Sequence, residues 1–208
     1  MAIDYSLYLV TDRMVLGTRD FLQSIEEALK GGVTLVQLRE KELSSADFYH
    51  SACAIKELTH AYHVPFIIND RLDIALAVDA DGLHIGQDDL PLPVARKLLG
   101  PDKILGYSVS TIEEARCGEQ NGADYLGAGT VFWTGSKSDI GEPIGLEGLQ
   151  QIHKAVSIPV VAIGGIGPAN LPAVKSIGIE GVSLISAILG QADIETASRN
   201  LINLWNAS

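Results

Sequence analysis

Along the chain, short apolar runs rich in β-branched residues alternate with longer stretches in which apolar residues return every three or four positions. Runs of the first kind suit strands covered on both faces, and stretches of the second kind suit amphipathic helices packed against them. Strands are expected at 7–10, 35–38, 66–69, 82–85, 104–107, 125–128, 160–163 and 182–185. Helices are expected to begin near Arg19, Ser45, Arg71, Pro91, Ile112, Leu146, Ala169 and Asp193, the third of them short. Several starts carry their own signal: Ser44-Ser45-Ala46-Asp47, Thr111 ahead of Glu113 and Glu114, and Pro168. Eight such units in a row predict a single (β/α)8 TIM barrel over residues 1–208, near the small end of that fold. A doubly wound open sheet shows the same alternation, but the count of eight and the lack of a Gly-rich turn after the first strand favour closure. Most connections are brief. The exception follows the sixth strand, where residues 132–144 read FWTGSKSDIGEPI.

Composition narrows the partners. With 208 residues, 47% of them hydrophobic and 20% charged, the chain can bury one continuous core. Asp and Glu number 26 against 15 Lys and Arg, a net charge of -11, which argues against nucleic acid and against anionic membrane faces. Any anionic substrate must therefore meet locally gathered cations, backbone N–H groups or a metal ion. Cys53 and Cys117 lie far apart in helical stretches and are expected to be buried small residues, neither a disulfide nor a metal pair. The first residues lack the positive charge of a secretory leader, and no apolar run nears the roughly 20 residues that span a bilayer. A soluble, cytoplasmic protein acting on small molecules is expected, with a homo-oligomer left open.

In such a barrel the functional groups gather at the C-terminal strand ends. After the second strand, alternation turns Gln37, Arg39 and Lys41 to one side and Leu38 and Glu40 to the other. Arg39 offers a planar fork and Lys41 a point charge to a diphosphate, unless both simply pair with neighbouring acids. The third strand ends in Asn69-Asp70 and the fourth runs into Gln87-Asp88-Asp89. Asp70 and Asp89 suit magnesium, which takes one or two carboxylates beside water and substrate phosphate; the plainer reading makes each a helix cap. His84, inside the fourth strand, reads as a packed, hydrogen-bonded histidine rather than a ligand. Ser108 follows the fifth strand with a small hydroxyl. In the long loop Thr134, Gly135, Ser136 and Lys137 offer hydroxyls, pliant backbone and a cation. Gly164-Gly165 and Ile185-Ser186, after strands seven and eight, stand where barrels often hold a phosphate monoester, though the glycines could serve only a tight turn. Two anion sites result. One gathers Arg39, Lys41, Lys137 and magnesium; the other has donors at Gly165, Ile185 and Ser186.

These residues carry a resemblance. Leu7-Tyr8-Leu9-Val10-Thr11-Asp12, Val36 to Lys41, Asn69-Asp70, Asp81 to Asp89, Gly106-Tyr107-Ser108, Thr134 to Lys137, Gly164-Gly165-Ile166 and Ile185-Ser186, in this order, closely resemble the thiamin phosphate synthase family over essentially the whole chain. The resemblance implies a magnesium-dependent transferase of thiamine biosynthesis. Its substrates would be 4-amino-2-methyl-5-hydroxymethylpyrimidine diphosphate and 4-methyl-5-(2-hydroxyethyl)thiazole phosphate, or its carboxylated form. It implies that Gln37, Arg39, Lys41, Asn69, Ser108 and Lys137 hold the diphosphate substrate, with Arg39, Lys41, Ser108 and Lys137 acting in catalysis. Asp70 and Asp89 would bind Mg2+, and Thr134, Gly135, Ser136, Gly165, Ile185 and Ser186 the thiazole phosphate. Departure of pyrophosphate would leave a pyrimidine carbocation that the thiazole nitrogen captures. Whether Ser108 meets pyrophosphate or the pyrimidine amine stays open. Trp133 and Gly135 depart from the family pattern, where Pro and a bulkier polar residue are common, and bear on closure of that loop. A related thiazole tautomerase, a silent binder of thiamin precursors and a sugar-phosphate isomerase or epimerase are the rival readings. The first would carry a histidine in the loop 132–144, which has none. The second has no use for a diphosphate and metal site, and the third needs an acid-base pair facing the barrel axis.

Overall fold

The computed structural model of the protein describes residues 3–134 and 142–207. Its strands are β1 (Leu7–Val10), β2 (Leu35–Leu38), β3 (Phe66–Asn69), β4 (Gly82–Ile85), β5 (Ile104–Val109), β6 (Tyr125–Gly129), β7 (Val160–Ile163) and β8 (Gly181–Leu184). Each pairs in parallel with the next, and β8 returns to β1, closing a single (β/α)8 barrel. The helices are α1 (Arg13–Leu16), α2 (Phe21–Lys30), α3 (Ser45–Ala61), α4 (Leu72–Ala77), α5 (Leu92–Leu99), α6 (Ile112–Gln120), α7 (Gly145–Ala155), α8 (Leu171–Lys175), α9 (Ser186–Leu189) and α10 (Ile194–Asn206). Beyond the expected units, α1 and α9 are extra single turns, too short to show a period. β5 and β6 run further than expected, which places Ser108 within a strand rather than after it.

Strand alternation splits the apolar residues into two cores. Leu7, Leu9, Val36, Leu38, Phe66 and Ile68 point outward and meet the helices. Tyr8, Val10, Leu35, Ile67, Tyr125 and Val161 point inward and fill the barrel. α2 shows how the outer layer is tied down: Asp20 accepts from the Gln23 N–H at its start, and Ile25, Ala28 and Leu29 form its buried face. The signal at Thr111 is a complete capping box, with its hydroxyl accepting from the Glu114 N–H while the Glu114 carboxylate accepts from the Thr111 N–H. Thr111→Ala is expected to cost about 1 kcal/mol. A urea melt should show the midpoint falling with no change in slope.

Cys117 is a correction: it is exposed on α6, while Cys53 is half-buried on α3. Helical spacing placed both residues on helices but did not fix which face each takes. Among the described residues no helix is long and apolar enough to cross a membrane.

Candidate active site

At the C-terminal ends of the strands the inward positions turn polar, with Gln37, Asn69, His84 and Ser183 all buried there. They line a cavity of two lobes that share Ser108, Gly127, Ile163, Ser183 and Ile185 as a common wall. One lobe is bounded by Tyr8, Gln37, Arg39, Asn69, His84 and Tyr125. The other is bounded by Thr130, Thr134, Gly164, Gly165, Ile166 and Ser186. Two small molecules held one in each lobe would meet across that shared wall.

Cations and acids stand at the rim of the first lobe. Arg39 is largely buried and its guanidinium reaches Asp12 at 3.3 Å, a long contact. Asp12 uses its other oxygen to cap α1 through the Met14 and Val15 N–H groups, so the extra turn anchors the acid that steadies Arg39. Glu40 faces away, paired with Arg13 at 2.6 Å, as alternation requires. Lys41 is exposed beyond the end of β2 and makes no ion pair among the described residues.

Neither Asp70 nor Asp89 caps a helix. Arg71 and Pro91 occupy the cap positions of α4 and α5, without a side-chain cap bond. Asp70 adopts φ 60°, a left-handed conformation that Asp and Asn tolerate better than most residues. Its carboxyl lies within hydrogen-bonding reach of Asp89, and one Asp89 oxygen accepts from the Gly86 N–H at 2.8 Å. Burial, with the Asp89 charge beside it, pushes the Asp70 carboxyl up to about 6, against the weaker pull of Lys41 and Arg39. Among the described residues no group of three His, Cys, Asp or Glu could cage a metal.

The second lobe is floored by the turn after β7. Gly164 and Gly165 have φ 102° and 65°, and a Cβ on Gly165 would stand 2.6 Å from the Trp133 carbonyl oxygen and 2.8 Å from Phe132 Cβ. Both glycines are therefore required by the backbone. Asn170 holds the turn, its amide donating to the Gly165 carbonyl at 2.9 Å and its oxygen accepting from the Gly167 N–H at 2.8 Å. Residues 7–188 match the family described as thiamine monophosphate synthase. The chain belongs to the thiamine monophosphate synthase family. It is 63% identical over 205 residues to the thiamine-phosphate synthase of Desulfitobacterium hafniense (strain Y51), covering 99% of each protein. It is 53% identical over 204 residues to that of Clostridium novyi (strain NT), covering 98% of this chain and 100% of the other. Among solved structures, a thiamine phosphate pyrophosphorylase from Pyrococcus furiosus superposes with a TM-score of 0.89 at 41% identity, covering 98% of this chain and 96% of that one.

In this member of the thiamine monophosphate synthase family, the barrel brings Gln37, Arg39, Asn69 and Ser108 into one lobe and Thr134, Gly165, Ile185 and Ser186 into the other. Asp70 and Asp89 meet each other beside the first. Gly135, Ser136 and Lys137 lie outside the described residues. His84 is the packed, hydrogen-bonded histidine expected, with Nδ1 2.8 Å from the Tyr125 hydroxyl and Nε2 2.9 Å from Ser108 Oγ. Sequence reasoning missed Tyr8, Tyr125 and Ser183 as wall residues. Ser183 had a signal, since it shares the inward phase of its strand with Ile185, whereas Tyr8 and Tyr125 lie on strands that offered no candidate. Ser183 Oγ is buried, with no hydrogen-bond partner among the described residues, and Ser183 belongs to the shared wall.

Proposed function

We propose that this chain is a thiamin phosphate synthase, joining the aminopyrimidine diphosphate to the thiazole phosphate, or its carboxylated form, and releasing pyrophosphate. The observation that carries the reading is the two-lobed cavity, which has an acid pair and cations at one lobe and a glycine turn at the other. The first lobe takes the pyrimidine, with Gln37, Asn69 and Ser108 around the ring and Arg39, Lys41 and Lys137 on the diphosphate. The second takes the thiazole, its phosphate against Gly165, Ile185, Ser186 and the loop residues Thr134, Gly135 and Ser136.

The acid pair fits Mg2+. Two adjacent carboxylates, short of a full cage, leave room for water and phosphate oxygens, and their mutual repulsion is what a divalent cation relieves. Asp70 and Asp89 would hold the ion, which when bound supplies positive charge beside the leaving diphosphate. Arg39, Lys41 and Lys137 add charge to the same oxygens and gain in strength as the pyrimidine C–O bond breaks and its electron pair departs with pyrophosphate. The methylene cation left on the aminopyrimidine ring forms its C–N bond with the thiazole nitrogen across the shared wall. None of these residues acts as a nucleophile. Substrates and product are small and soluble, and we place the reaction in the cytoplasm.

The test is a pyrophosphate-release assay in which each substrate, and then magnesium, is omitted in turn. Release should require all three. Release with the pyrimidine diphosphate alone, at an equal rate, would make the chain a hydrolase and overturn the reading. The lobe assignment makes its own prediction. Gly165→Ala should raise KM for the thiazole phosphate about tenfold while KM for the pyrimidine diphosphate stays within about twofold.

A further inference from the structure

Across the barrel interior runs an unbroken file of five hydrogen-bonding groups from Gln37 to Ser108. Gln37 Nε2 donates to the Tyr8 hydroxyl at 2.6 Å, the Tyr8 and Tyr125 hydroxyls are 2.8 Å apart, Tyr125 meets His84 Nδ1 at 2.8 Å, and His84 Nε2 meets Ser108 Oγ at 2.9 Å. Gln37, Tyr8, Tyr125 and His84 are each nine-tenths or more buried. The barrel makes space for the file with glycine. A Cβ on Gly106 would lie 2.3 Å from Tyr125 Cζ and 2.4 Å from His84 Nδ1.

The file has a direction. Burial holds both phenols protonated well above their usual range, so each has one proton to give. Because Tyr8 accepts from the Gln37 amide, its proton goes to Tyr125, and the Tyr125 proton goes to His84 Nδ1. The imidazole must then carry its own proton on Nε2 and donate it to Ser108. Ser108 is left with its O–H for the cavity, and Gln37 with its Oε1.

We propose that Tyr8, Tyr125 and His84 are positioning residues that fix the hydrogen-bond polarity of the cavity's first lobe, making Ser108 a donor and Gln37 Oε1 an acceptor toward the bound molecule. On the function proposed above, on which this consequence rests, a donor at Ser108 suits an oxygen of the diphosphate and not the pyrimidine amine, while the amine, itself a donor, suits Gln37 Oε1. The two contacts are linked, since reversing the file at one end reverses it at the other.

The tautomer of His84 reads the file directly in the ligand-free protein, whether or not the chain makes thiamin phosphate. 15N NMR of histidine-labelled protein, with His84 assigned by loss of its signals in His84→Gln, should show Nε2 protonated and Nδ1 bare. Gln37→Glu replaces the donor with an acceptor. At a pH where the 13C shift of the new carboxyl shows it ionised, Tyr8 must donate to it, and His84 should switch to the Nδ1–H form. Adding Tyr125→Phe cuts the file and should abolish the switch. A wild-type His84 protonated on Nδ1, or on both nitrogens, would overturn the proposal, as would an unchanged tautomer in folded Gln37→Glu. Should Gln37→Glu not fold, the wild-type tautomer decides alone. In turnover, Tyr125→Phe and Ser108→Ala should each lower kcat about tenfold with KM for the diphosphate substrate within about twofold, and the double variant should be no slower than Ser108→Ala. Additive losses would show that Tyr125 supports the fold rather than Ser108. A failure to make product at all, with the tautomer switch intact, would count against the function and not against the file.

Discussion

Asp70→Asn should lower thiamin phosphate formation a hundredfold or more and, in the same preparation, make the metal-free protein more stable at neutral pH. The loss follows from removing a charge that helps hold magnesium against the leaving diphosphate, an electrostatic contribution commonly worth a few kcal/mol. The gain follows from the carboxyl's surroundings. In the folded chain Asp70 sits near 6 rather than at its ordinary 3.8, because burial and Asp89 disfavour its charge. A group raised in this way stabilises the fold fully below pH 3.8 and loses that contribution as pH rises through 6. Asn keeps the protonated shape and tolerates the same φ of 60°. The variant should therefore match the wild type near pH 3.8 or below and exceed it above about 6.5. The margin is on the order of 1 kcal/mol, or about 2–4 °C, once solvent screening at this partly open site is allowed for. Melting curves in EDTA at both ends of that range check it. A variant less stable than the wild type at neutral pH would mean that the pair is not repulsive and that the argument for a cation between the acids fails.

The second large effect is structural. Gly181 opens β8 where the barrel closes on β1, and a Cβ there would stand 1.7 Å from the Tyr5 carbonyl oxygen and 2.4 Å from its carbon. Both contacts are with backbone, which no rotamer change relieves. Gly181→Ala should cost about 3 kcal/mol or more, because either the β1–β8 pairing separates or the strand shifts against its neighbours. Chemical denaturation would read the loss. Gly167→Ala is the matched control, since a Cβ at Gly167 meets nothing within 4 Å. Equal stability of the two variants would contradict this account of closure.

Much of this architecture is legible in the chain because parallel strands covered on both faces leave near-continuous apolar runs. β1 to β4 and β7 coincide with the ranges expected from those runs. The turns α1 and α9, of four residues each, were not legible, because a single turn shows no period and its caps look like loop. Exposure of Cys117 was missed for a related reason, since placing a residue on a helix does not settle which face it takes. In the site, charged residues at strand ends announced themselves, and Asp70 and Asp89 meet although 19 positions separate them in the sequence. Tyr8 and Tyr125 did not, because a tyrosine inside a strand reads as core. Only the register, which sets Tyr8 beside Gln37's strand and Tyr125 opposite Gly106, shows that their hydroxyls meet.

Formation of thiamin phosphate is the property that decides the proposed function. Purified protein mixed with both substrates, with magnesium or with EDTA, can be followed by oxidation of the product to fluorescent thiochrome phosphate. Thiamin phosphate should form with magnesium, fall to background in EDTA, and fall to background in Asp89→Ala that remains folded. No product from folded wild-type protein in the presence of magnesium would contradict the assignment.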